Sequence, residues 1–156
     1  RVAQTGDPQA FRFPRSFLKD SERLEFSFSG LKTAVRYQIA SPDCKDLSTV
    51  KLEPPRIADL AASFQEAVVD CLVGKSLQAL QATGLKRLCV GGGVAANRRF
   101  RTQLGEVAKK HKFDFLIAPL ELCTDNAVMG AIAFERLKAG LVDDLDLDVA
   151  PGLVRK

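Results

Sequence analysis

An α/β layer with parallel strands is the fold class that three features of the 156-residue sequence predict. A long amphipathic stretch runs from Ile57 towards Gly84, two short apolar runs follow it with a helical segment between them, and the first of these runs opens into Gly91-Gly92-Gly93. Helices alternating with short apolar runs of this length are the pattern of parallel strands joined by crossover helices. In such sheets ligands gather at the carboxyl ends of the strands.

Residues 1–23 are rich in Pro, Gly, Arg and Ser and lack a helical period, which predicts an extended lead-in segment. Leu24, Phe26 and Phe28 alternate with polar residues, the period of a half-buried strand, and Ser29 is placed to cap a helix through LKTAVRYQIA. The next stretch, SPDCKDLSTVKLEPP, has no clear period and predicts a loop. From Ile57 the apolar positions Leu60, Ala61, Phe64, Val68, Cys71 and Leu72 recur at steps of three and four, with Gly84 as the stop. Lys86–Val90 then predicts a strand, Asn97–Lys110 a helix and Phe113–Ala118 a second strand that Pro119 ends. CTDNAVMGAIAFERLKAG reads as a turn and a helix ending at Gly140, before a tail in which Leu or Val alternates with Asp. The expected organisation is a lead-in with strand, helix and loop over 1–56, an α/β core over 57–142 and a tail over 143–156.

Hydrophobic residues make up 46% of the chain and charged residues 27%, enough apolar material for one globular core. No run approaches the roughly 18 apolar residues of a membrane span, and RVAQTGDPQA has no signal-peptide core, so no membrane partner and a cytoplasmic location are expected. Cys44, Cys71, Cys89 and Cys123 show no CxxC spacing, and three of them lie in apolar runs, which predicts buried free thiols. The net charge of +4 and pI near 9.0 permit contact with nucleic acid or nucleotides without requiring it. With Arg at position 1 and Met129 as the only methionine, the chain is expected to be part of something longer.

Successive glycines allow positive φ and let backbone N–H groups approach an anion with no Cβ in the way, so phosphate is the natural guest at Gly91–Gly93. The bland alternative is a turn that merely joins strand to helix. Arg98, Arg99 and Arg101 occupy the first turns of the following helix, where the dipole disfavours cations and a nearby anion would offset the cost. Asn97 suits a helix cap or a contact to a nucleotide, and Asp125 suits a helix start or a hard oxygen ligand for a metal. Ser29 and Lys32 in SFSGLKT offer a weaker phosphate contact, and the single histidine, His111, lies among lysines and is expected at the surface.

Taken together, FSFSGLKTAV, GGGVAANRRFR and CTDNAVMGAIA resemble the tRNA adenosine threonylcarbamoyltransferase family, long described as O-sialoglycoprotein endopeptidases. The likeness covers essentially the whole chain but only the C-terminal half of a family member. It implies the second lobe of the ATPase fold shared by actin, heat-shock chaperones and sugar kinases. It also implies transfer of a threonylcarbamoyl group from threonylcarbamoyl adenylate to the amine of the tRNA adenosine beside the anticodon. By the same resemblance Asn97 matches the asparagine that contacts the adenylate, and Gly92 and Gly93 match the phosphate-facing glycines. Asp125 matches a carboxylate ligand of a divalent metal, iron or zinc. The other metal ligands are two histidines of an HxxxH motif in the N-terminal half, so the site is expected to be incomplete here and the isolated chain inactive. Implied partners are tRNA, a related ATPase-fold protein and a small ATPase. Glu25 stands where the family pattern has Asp, a departure that leaves the motif otherwise intact. The competing expectations are a phosphotransferase or ATPase of the same superfold, using ATP, and the metalloendopeptidase of the older description.

Overall fold

The computed structural model describes residues 1–40, 43–44, 46–144 and 146. Its helices are α1 (Ser29–Ile39), α2 (Pro54–Thr83), α3 (Arg98–His111) and α4 (Gly130–Lys138), and its strands are β1 (Arg87–Val90) and β2 (Asp114–Ile117). The strands pair in parallel, Arg87 opposite Asp114 and Val90 opposite Ile117, with α3 as the connection between them.

The 30-residue α2 organises everything around it. Pro54 and Pro55 start it, where a missing N–H costs nothing, and Gly84 stops it in the left-handed conformation at φ 70°. The helix therefore begins three residues before the first periodic position, Ile57. Its Leu60 and Ala67 pack with Phe13 and Leu31 in one cluster, while its Val69 and Val73 pack with Phe100 and Leu104 of α3 in another. Leu88, Val90, Phe115 and Ile117 from the strands close the second cluster.

Among the described residues only that face of the two-stranded sheet is covered. Along both strands burial alternates, so Arg87, Cys89, Asp114 and Leu116 point to solvent. Cys71 and Cys123 are buried as expected, but Cys89 is exposed because it falls on the uncovered face.

Residues 1–23 form a strap along α2. Side chains of the helix hold the strap's backbone: Asp59 accepts from the Asp7 N–H at 2.8 Å, and the buried Ser63 hydroxyl both accepts from the Phe11 N–H and donates to the Asp7 carbonyl. Further along, Arg15 of the strap pairs with Asp70 at 2.9 Å. Lys75, only 2% exposed, donates to the carbonyls of Asp20 and Arg23 and to Gln78. The approach is close enough that a Cβ on Gly6 would run into the Ala58 carbonyl.

The strand expected at Leu24–Phe28 does not form. These residues have no ladder partner among the described residues, Leu24 and Phe26 stay exposed, and Arg23 stacks over Phe17 at 3.8 Å. Nor does Ser29 cap α1; it is the first helical residue, and Phe28 occupies the cap position with no side-chain hydrogen bond.

Candidate functional site at the carboxyl edge of the strands

Both strands end on the same edge because they are parallel and in register. From β1 the chain enters Gly91–Gly93, with Gly92 at φ 85°, a conformation that suits glycine and few other residues. A single 3-10 turn over Gly93–Ala96 follows, and its first N–H groups have no carbonyl within the turn to bond. From β2 the chain passes Pro119 into a second turn carrying Cys123, Thr124 and Asp125.

Arg101 joins the two turns. Its Nε donates to the Ala95 carbonyl at 2.6 Å, its Nη2 to the Ala118 carbonyl at 2.5 Å, and Nη2 also meets the buried Cys123 Sγ at 3.3 Å. The Cys123 thiol in turn donates to the Ala118 and Pro119 carbonyls. A Cβ on Gly93 would lie 4.0 Å from the Cys123 carbonyl oxygen, so the glycine turn and the acidic turn are neighbours in space.

The expected residues divide by what the structure leaves open. Asn97 caps α3: its Oδ1 accepts from the Phe100 N–H at 3.0 Å, and its Nδ2 donates to Gln65 of α2 at 3.0 Å. Each end of that amide retains one further hydrogen-bonding capacity. Asp125 is not a cap. Its neighbour Asn126 takes that role by accepting from the Val128 N–H, and the exposed Asp125 carboxylate makes no hydrogen bond or ion pair among the described residues.

The arginine triplet is largely accounted for within the fold. Arg99 grips Glu66 through two hydrogen bonds of 2.6 and 2.7 Å, which raise its pKa further above the ordinary guanidinium range. Arg101 staples the turns, and Arg98 alone has no partner among the described residues. Gln65, Glu66 and the staple by Arg101 were not anticipated. The signal for the first two was a Gln-Glu pair set inside the apolar run AASFQEAVV.

No three His, Cys, Asp or Glu side chains cluster to hold a metal among the described residues, and His111 is exposed at the end of α3. The donor set of the described residues therefore does not by itself fit a metal ion; the turn after β2 offers the exposed carboxylates of Glu121 and Asp125. Among the described residues no helix is long and apolar enough to cross a membrane.

A parallel α/β layer with a glycine turn and a free carboxylate side by side at its carboxyl edge places the chain among α/β proteins that build ligand sites on that edge. The model of the tRNA N6-adenosine threonylcarbamoyltransferase family, TsaD, matches residues 1–132, and the chain belongs to that family. Proteins named tRNA N6-adenosine threonylcarbamoyltransferase are similar along most of its length. The one from Rhodopirellula baltica is 46% identical over 99% of this chain and 46% of its own length. That from Thermotoga neapolitana is 42% identical over 97% of the chain and 43% of its own length. The Burkholderia ambifaria protein is 49% identical over 85% of the chain and 38% of its own length. The chain thus spans less than half the length of these relatives.

Proposed function

We propose that this chain is the C-terminal part of a tRNA-modifying acyltransferase. The whole protein moves a threonylcarbamoyl group from threonylcarbamoyl adenylate to the amine of the tRNA adenosine beside the anticodon, in the cytoplasm and together with a related ATPase-fold protein and a small ATPase. In this reading the chain forms most of the second lobe of an actin-like ATPase fold, and its strand edge is one wall of the nucleotide cleft.

The observation that carries the reading is the Arg101 staple, which holds the glycine turn and the Asp125 turn together at one edge. Gly92 and Gly93 would admit the adenylate's phosphate to backbone N–H groups, and Asn97 would direct its remaining amide capacity to the nucleotide. Asp125 would be the single donor that this chain adds to a metal whose histidine ligands lie outside it. When bound, that metal, iron or zinc, would supply Lewis-acid stabilisation of developing charge. The residues of this chain orient: the glycine backbone fixes the phosphate, and fixed donors near the departing AMP act without reorganising during acyl transfer.

The test is nucleoside mass spectrometry of unmodified tRNA incubated with the complete polypeptide, its partner proteins and threonylcarbamoyl adenylate. Wild type is expected to make threonylcarbamoyladenosine and Asp125→Ala to lose both product and bound metal. Product undiminished in Asp125→Ala would remove the carboxylate from the site, and none from wild type would remove the function.

A further inference from the structure

We infer that Gln65 is a positioning residue for the nucleotide: it sets the direction of the Asn97 amide, so that the amide's remaining N–H meets an acceptor oxygen of the adenylate. The inference rests on the function proposed above for the identity of the ligand, and on the structure for the relay of hydrogen bonds.

Polarity passes from helix α3 through one amide to the next. The Phe100 N–H donates to Asn97 Oδ1 at 3.0 Å, a bond that only the oxygen end of the amide can accept. The nitrogen end then faces α2, where Asn97 Nδ2 donates to Gln65 Oε1 at 3.0 Å. Turning over either amide would set donor against donor, so the helix N–H fixes the polarity of both. The outward end of Gln65 is therefore its Nε2, which has no hydrogen bond among the described residues. Gln103 Oε1 is the one buried side-chain polar atom without a partner among them, so Gln65 Nε2 is open to solvent.

The cap alone does not give the amide one direction. A single hydrogen bond at Oδ1 leaves the Asn97 side chain free to swing about it, and the second bond, at the opposite end, fixes its plane. Gln65 is half-buried within the apolar run AASFQEAVV, a placement that costs free energy unless the amide is bonded, and Asn97 is its partner there. The start of α3 does not depend on this bond. Arg99 grips Glu66, the next residue of α2, and Phe100 and Leu104 are buried with Val69 and Val73. What Gln65 adds is the orientation of one amide.

That amide belongs to the glycine turn. Asn97 ends the 3-10 turn that starts at Gly93, and its backbone N–H donates to the Val94 carbonyl. With the cap and Gln65 satisfied, Nδ2 keeps one N–H. An N–H reads an acceptor, which an adenylate supplies as phosphate and ribose oxygens, and it is repelled by the amine of the base.

The experiment compares steady-state kinetics of the complete protein with its partners for wild type, Gln65→Met, Asn97→Ser and the double variant. The Kd of threonylcarbamoyl adenylate is measured alongside, without tRNA. Methionine has nearly the length of glutamine and no amide, and serine keeps a helix cap while removing the amide of Asn97. Gln65→Met is expected to raise the adenylate KM and Kd about tenfold, with kcat and the KM for tRNA within about twofold of wild type. Its unfolding midpoint stays near that of wild type, because the Glu66–Arg99 pair and the buried residues are kept. Asn97→Ser raises the adenylate KM at least as much, and in its background Gln65→Met adds no more than about twofold, the non-additivity of a residue that acts through another. Two effects that multiply in full would show that Gln65 acts on its own, and overturn the inference. So would a wild-type adenylate KM in either single variant, or a tRNA KM raised in parallel, which marks a general loss of structure. A wild type that binds the adenylate but makes no threonylcarbamoyladenosine refutes the proposed function while leaving the Kd comparison readable, and one that binds no adenylate overturns both.

Discussion

Along α2, Asp59, Ser63, Asp70, Lys75 and Gln78 each take hold of the strap, and Leu60, Ala67, Val69 and Val73 between them are buried in two clusters. Along α4, Ile132, Phe134 and Leu137 are 70%, 56% and 61% exposed, and no residue of the helix is buried. The first region is held by long-range contacts. The second owes its helix to local chemistry: the Asn126 cap on the turn before it, the Lys138–Glu135 pair one turn apart, and Gly140 at φ 69° where it stops. Similar apolar content thus yields a packed element in one place and, among the described residues, an unpartnered one in the other, and substitutions should separate them sharply.

The largest effect is expected at Lys75. Lys75→Met leaves the Asp20 and Arg23 carbonyls without their donor, and a loss of about 3 kcal/mol in chemical denaturation, with early proteolysis near residues 16–23, is expected. Gly6→Ala should lift the start of the strap because its Cβ meets backbone, for about 2 kcal/mol. Gly74→Ala should cost much less, since the atom in its way is the mobile Leu18 Cδ1. On α4, Ile132→Ala and Leu137→Ala are expected to change stability by less than about 0.5 kcal/mol, and a change above 2 kcal/mol would erase the contrast.

Cysteine chemistry sharpens the same comparison at the sheet. Cys89, on the uncovered face, should be alkylated first, and Cys71 and Cys123 only on unfolding. Burial is the main cause that pushes the Cys71 thiol up, so the folded state holds it neutral where the unfolded chain would ionise it. Its contribution to stability is complete below the ordinary thiol range and is lost as pH rises through that range towards the folded value. Relative to Cys71→Ala, the wild type should therefore lose stability faster with rising pH in that alkaline window, as read by denaturation at each pH.

The parts legible in the sequence are those where local pattern and tertiary packing agree. The period of α2, Gly84 at its end and Pro119 after β2 each have one physical meaning and lie where expected, and of the two readings open for Asn97 the helix cap is seen at the start of α3. Leu24–Phe28 has a strand's alternation but finds no ladder partner among the described residues, and alternation alone does not make a strand. The tail beyond Asp144, with its Leu–Asp alternation, lies largely outside the described residues. At the site, the glycines and Asp125 were visible as residue types. The roles of the arginines were not, because a basic side chain after a glycine turn reads the same whether it meets a phosphate, a glutamate or two carbonyls. Only the fold separates Arg98 from Arg99 and Arg101.

The central claim is that the glycine turn and the Asp125 turn work as one wall because Arg101 holds them together. The most direct test is Arg101→Gln in the complete protein with its partners, reading threonylcarbamoyladenosine by mass spectrometry and tRNA binding in parallel. Product is expected to fall at least about tenfold, the scale set by misplaced site groups, while tRNA affinity stays at the wild-type level. Full product formation with the staple removed would show that the two turns need no common support and would contradict the account.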